Sequence, residues 1–104
     1  MIARIWHGRT RASRAEAYLA FLTERALPDY RSVPGNRGAY VLYRIEGDVA
    51  HFLTLSLWDS LAAIEAFAGP DRKKPKYYPE DEDFLLEMEP EVRHYEWTSE
   101  EIAP

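Results

Sequence analysis

The chain has 104 residues, 46% of them hydrophobic, a net charge of −5 and no cysteine. This length makes one domain with one modest core, burying roughly 65% of its unfolded surface, and the lack of cysteine excludes disulfides, thiol catalysis, iron–sulfur clusters and thiolate zinc sites. Residues 1–44 are net basic and residues 45–104 net acidic; without a basic stripe nucleic acid is not an expected partner, and without an apolar run of about 18 residues or a signal-like start no membrane partner is expected and the location is cytoplasmic.

Residues 1–9 alternate in polarity and predict a strand, with Ala3, Ile5 and His7 on one side and Ile2, Arg4 and Trp6 on the other. Ser13 and Glu16 have the spacing of a capping box, and Ala15, Tyr18, Leu19, Leu22 and Ala26 then make one helical stripe to about Leu27, before Pro28. Residues 38–46 form a second alternating strand, and Gly47-Asp48 suits a two-residue hairpin. Counting back from that turn sets Tyr43 opposite Phe52, Leu42 opposite Leu53 and Arg44 opposite His51.

The centre of the chain is residues 49–69. A strand carries His51, Leu53, Leu55 and Leu57 on one face and Phe52, Thr54, Ser56 and Trp58 on the other. It runs into a helix that Asp59 or Ser60 can cap and Gly69-Pro70 ends. A basic patch at residues 72–76, Tyr77-Tyr78, a short helix near residues 79–88, a fourth strand at 91–97 and an acidic tail at 98–104 complete the chain.

Strand-helix-strand-strand-helix-strand is the order of a ferredoxin-like α+β sandwich, with an antiparallel sheet ordered 4-1-3-2 and both helices on one face. The domain spans residues 1–97. The other sheet face also carries large apolar groups, and a second copy packed against it, a homodimer, is the simplest cover.

With the strand–helix junction Trp58-Asp59-Ser60, the stretch LWDSLAAIEAFAG and the closing HYEW in view, the chain resembles the antibiotic biosynthesis monooxygenase family of the dimeric α+β barrel superfamily. It matches the family's W-x-S-x-x-A-x-x-x-H pattern at Trp58, Ser60 and Ala63 and departs where Phe67 replaces His. The resemblance implies an α+β barrel dimer and an oxidative enzyme: a cofactor-independent oxygenase of aromatics, a quinol oxidase or a haem degrader. The haem degraders use an Asn late in the first strand, a Trp on the second helix and a His beyond it; His7, Phe67 and Tyr77-Tyr78 stand at those positions here.

The topology brings the end of the first strand, the starts of the third and fourth, and the end of the second helix together. A pocket mouth is therefore expected near His7, His94, Phe67, Tyr77 and Tyr78, with Trp58 at the opposite end. A histidine's ordinary pKa suits a general base, which makes His7 the first candidate and His94 the second. Phe67, Tyr77 and Tyr78 would wall a small aromatic or apolar ligand, and Arg4 or Arg44 would steady an anion. The expected function is a monooxygenase or quinol oxidase of a small electron-rich aromatic, without flavin, haem or metal. The alternatives are a non-catalytic binding protein of the same fold and a haem- or metal-dependent oxidative enzyme; a His-rich metal site would require the three histidines to converge.

Overall fold

The computed structural model describes residues 1–98, so the acidic tail from residue 99 onward lies outside the described residues. Four strands, β1 (Ile2–Arg11), β2 (Asn36–Glu46), β3 (Val49–Trp58) and β4 (Arg93–Glu96), form one antiparallel sheet in the order β2-β3-β1-β4. This is the expected 4-1-3-2 order read from the other edge. Gly47 takes φ 60°, as the tight turn requires, and the hairpin register is the one counted from it, Tyr43 opposite Phe52, Leu42 opposite Leu53 and Arg44 opposite His51.

The helical segment after β1 outruns its expected end. A tight turn at Ala12–Arg14 leads into α1 (Ala15–Phe21), a wide π turn at Leu22–Ala26 and α2 (Leu27–Ser32). Pro28 does not break it. Proline lacks an N–H and its ring collides with the carbonyl four residues back; the wider π turn just before it loosens that crowding. The Ser13 capping box does not form, because Ser13 lies inside the tight first turn, and Ala12 N–H is satisfied instead by the Asp48 carbonyl at 2.7 Å. The expected stripe is buried nonetheless: Ala15, Tyr18, Leu22 and Ala26, continued by Leu27 and Tyr30.

At the second junction Ser60 Oγ accepts from Ala63 N–H at 3.2 Å and starts α3 (Leu61–Ala68), which stops at Gly69. The remaining helix, α4 (Asp81–Phe84), and β4 are both shorter than expected. Because β4 pairs only with Ile2–Ile5, the outer edge of β1 beyond Ile5 is left to another segment. Residues 85–89 take it: Leu86 N–H donates to the Arg9 carbonyl at 2.9 Å, and Leu85 bridges to Thr10.

The helices cover the face that holds Arg4, Trp6, Gly8 and Thr10 of β1 and Phe52, Thr54, Ser56 and Trp58 of β3, all buried. Tyr18 stands edge-on to Phe52 with ring centres 5.0 Å apart, and Trp58 meets Phe67 at 5.3 Å. Each such ring removes about 150–250 Å² from water, worth about 4–6 kcal/mol before entropy is counted. The opposite face is open: Tyr40, Leu42, Leu53 and Tyr95 are all substantially exposed. Among the described residues no helix is long and apolar enough to cross a membrane.

Candidate active site

Strand parity sorts the expected site residues onto the two faces. Arg4 is on the covered face and only 2% exposed. Its guanidinium donates to the carbonyls of Arg72 and Lys74 at 2.7 and 2.9 Å, and Nη1 lies 3.1 Å from His94 Nε2. Arginine has only donors, so that His94 nitrogen is the acceptor. Burial, with Arg4 and Arg72 nearby, holds the His94 pKa below its ordinary value. Arg4 and His94 thus fasten the loop at residues 72–74 to the sheet.

The same side holds Phe67, Tyr77 and Tyr78. Phe67 packs between Tyr30 and Trp58, and Lys76 Nζ lies 4.6 Å above its ring. Tyr78 donates to Asp29 at 2.6 Å, and Tyr77 donates to the Glu89 carbonyl at 2.6 Å. Burial raises the pKa of Tyr18, Tyr30, Tyr77 and Tyr78 alike. Asp81 accepts from Tyr18 at 2.7 Å and from Tyr78 N–H at 2.6 Å, yet burial still moves its pKa upward. The space these groups enclose is about 10 Å³, room for one water at most. Trp6 Nε1 is buried beside it without a partner.

The open face carries the preformed cleft. Leu42, Tyr43 and Leu53 line about 290 Å³ together with His7, His51 and Arg44. That is the size of a small-ligand site, apolar with a few polar groups. His7 Nδ1 is 2.5 Å from Glu89 Oε2, and His7 Nε2 is 3.3 Å from His51 Nδ1. Glu89 gets there because residues 85–89 line the edge of β1 that β4 leaves free, with Arg9 paired to Glu87 at 2.7 Å alongside. A larger groove of about 700 Å³ continues along the same face past Tyr40, Leu55, Leu57 and Trp97, edged by the Arg37–Asp59 pair.

The single mouth expected from topology is therefore two places. His7 and Arg44 meet in the cleft; Arg4, His94, Phe67, Tyr77 and Tyr78 are on the covered side. His94 pairs with Arg4, three residues from His7 and of opposite parity, so it projects from the other face. Phe67 stays near Trp58 because α3 has eight residues, about 12 Å, and does not travel back along a strand of about 33 Å. The three histidines do not converge, and among the described residues no three ligating side chains surround a metal position. His51 shares the parity of Leu53, the β3 partner of His7, and sits one diagonal step from His7, a placement that the antiparallel pairing of β1 with β3 makes legible. Glu89 is not legible in this way: it is 82 residues from His7, and no local pattern marks it.

No family model matches the chain, and no curated protein matches it. Among solved structures it is similar to a mutant of MhuD with two manganese protoporphyrin IX bound per active site, at 15% identity, covering 99% of this chain and 100% of that one, with a TM-score of 0.63. The likeness is one of fold, and the α+β fold implied by the sequence resemblance is the fold observed.

Proposed function

We propose that the chain is an oxidase or monooxygenase of a small electron-rich aromatic, a phenol or hydroquinone, working in the open-face cleft without a redox cofactor. The observation that carries this reading is a histidine, His7, held by a carboxylate over a preformed apolar cleft beside Arg44. A phenolate gives electrons to dioxygen far more readily than a phenol. The protein's work is to take the hydroxyl proton, hold the anion near Arg44 and keep water out. For a hydroquinone, two electrons and two protons pass to dioxygen, giving quinone and hydrogen peroxide. A second copy on the open face would close the cleft; the exposed Tyr40, Leu42, Leu53 and Tyr95 support that dimer.

His94 is read as part of the Arg4 clamp and not as the base. We take a small aromatic, and not the porphyrin of the structural neighbour, as the ligand. The covered-side space among Trp6, Tyr18, Tyr30 and Tyr78 is about 10 Å³, and His7 is engaged at both ring nitrogens, with Glu89 and with His51. Oxygen uptake with dihydroxynaphthalenes and anthrones tests the reading: turnover is expected, falling about 10²-fold in His7→Ala, the scale of lost general-base assistance. Binding of these compounds without oxygen uptake would make the chain a binding protein; a tight complex with iron protoporphyrin IX would overturn the ligand class.

A further inference from the structure

Within the proposed reading, on which this inference rests, one question is which atom takes the substrate proton and where the charge then goes. We infer that Glu89, His7 and His51 form a directional proton relay in which His51 Nε2 is the acceptor, His7 carries the charge and Glu89 holds it. A carboxylate only accepts, so at 2.5 Å from Glu89 it is His7 Nδ1 that bears hydrogen. A neutral His7 then has a bare Nε2, which can only accept. His51 Nδ1, 3.3 Å away, must be the donor to it. That leaves His51 Nε2 as the bare nitrogen, and among the described residues it has no hydrogen-bonding partner. His51 lines the cleft. The unused basic nitrogen of the three-residue line is thus on the residue at its cleft end.

The reverse assignment of the same contacts is the state after transfer. The phenolic O–H bond breaks and an N–H bond forms at His51 Nε2, while the electron pair stays on the substrate oxygen. The proton on His51 Nδ1 passes to His7 Nε2. His7 becomes an imidazolium facing the Glu89 carboxylate, and Glu89 itself never takes a proton, as in the acid–histidine pair of hydrolytic triads. Both states use the same two contacts, so no side chain has to move.

Charge placement gives the relay its direction. In the sheet His51 is flanked by Arg44 on β2 and Arg9 on β1, each its direct cross-strand partner. Directly opposed side chains are about 5 Å apart at Cβ, so positive charge on His51 would face two guanidiniums. On His7 it faces Glu89. Arg44 and Arg9 are themselves paired with Glu46 and Glu87, which softens that repulsion. The backbone also serves the line: Tyr77 donates to the Glu89 carbonyl, and Leu86 is tied to Arg9, so residues 86–89 are held against β1. Glu89 is then a positioning residue, and His51 the group that touches substrate.

Two measurements test this. Nitrogen-15 imidazole spectra of the intact protein above pH 8 report tautomers with no substrate present. The relay requires hydrogen on Nδ1 of both His7 and His51; hydrogen on His51 Nε2 would overturn it. The second uses 4-nitrophenol, whose phenolate has its own absorption band. Wild-type protein is expected to bind it as the phenolate below the pH at which it ionises in water. His51→Asn and Glu89→Gln should still bind it but lose most of that band, and His51→Asn should lose more. A retained band in His51→Asn sinks the relay. If 4-nitrophenol does not bind at all, the proposed ligand class fails, and the tautomers still decide whether the line is wired as inferred.

Discussion

The two faces of the sheet are made by the same strands, and they treat polar groups in opposite ways. On the covered face polar side chains are consumed by structure: Arg4 by two carbonyls, Thr54 by Tyr30, Asp81 by Tyr18 and a backbone N–H. Among the described residues only Trp6 Nε1 is left over there. Buried groups must be satisfied internally because water is not present to do it, and a face built that way has little chemistry to spare. The open face holds its polar groups in pairs that stop short of full satisfaction, with His7, His51 and Arg44 along an apolar cleft. Close packing and a reactive site make competing demands, and here each demand has its own face.

The largest contrast between the faces should be in stability. Trp58 is fully buried, its Nε1 donates to Ser56 Oγ at 2.9 Å, and its ring packs on Phe67. Trp58→Ala is expected to cost about 3–5 kcal/mol, read as a shift in the urea midpoint with an unchanged slope. A cost under about 1 kcal/mol would mean that the covered face is not the core. His7→Ala should do the reverse. It lowers aromatic-dependent oxygen uptake about 10²-fold, equivalent to about 2.7 kcal/mol in the barrier, while leaving the urea midpoint close to wild type. Equal losses of stability and activity would dissolve the division of labour between the faces.

That division was only partly legible in the amino-acid sequence. The alternation of β3 and the two-residue turn at Gly47-Asp48 were sufficient to set its register with β2, because a short loop leaves no freedom in the count. The Ser60 cap was legible for the same reason, as a contact across three residues. Pro28 misled, since the π turn that tolerates it depends on packing of Leu22 and Ala26 against the sheet and leaves no mark of its own. The site split because a difference of one in strand position reverses the face. Whether His94 would pair with Arg4 or with a residue of His7 parity depended on where β4 starts, and strand ends are poorly marked in sequence. Glu89 reaches His7 through tertiary packing alone.

The open face itself can be tested with a smaller energetic effect. Leu53 is partly exposed, so Leu53→Glu should change monomer stability by no more than about 0.5 kcal/mol. A dimer that closes over this face would bury more than about 2,000 Å², and a carboxylate at its centre would prevent it. Light scattering at micromolar concentration should give twice the chain mass for wild type and a single chain mass for the variant. A wild-type monomer would leave the cleft open to water and remove the means by which the proposed site excludes it.

The smallest expected effect returns to the covered face and concerns pH. Burial, followed by the neighbouring Arg4 and Arg72 charges, lowers the His94 pKa in the folded chain below its ordinary value of 6.5. In the unfolded chain His94 takes up a proton as the pH falls through about 6.5; in the folded chain it does so only at lower pH. Between those two points the unfolded state binds more protons, so stability falls as the medium becomes more acid, and the contribution is fully present above pH 6.5. Gln at this position keeps an acceptor for Arg4 Nη1 but cannot be protonated. His94→Gln should therefore melt close to wild type above about pH 7 and lose less stability than wild type as the pH falls below about 6.5. His7 and His51 are present in both proteins, so the difference between the two curves belongs to His94. Parallel curves would show that His94 is as free to take a proton when folded as when unfolded, and the covered face would then hold an uncommitted histidine after all.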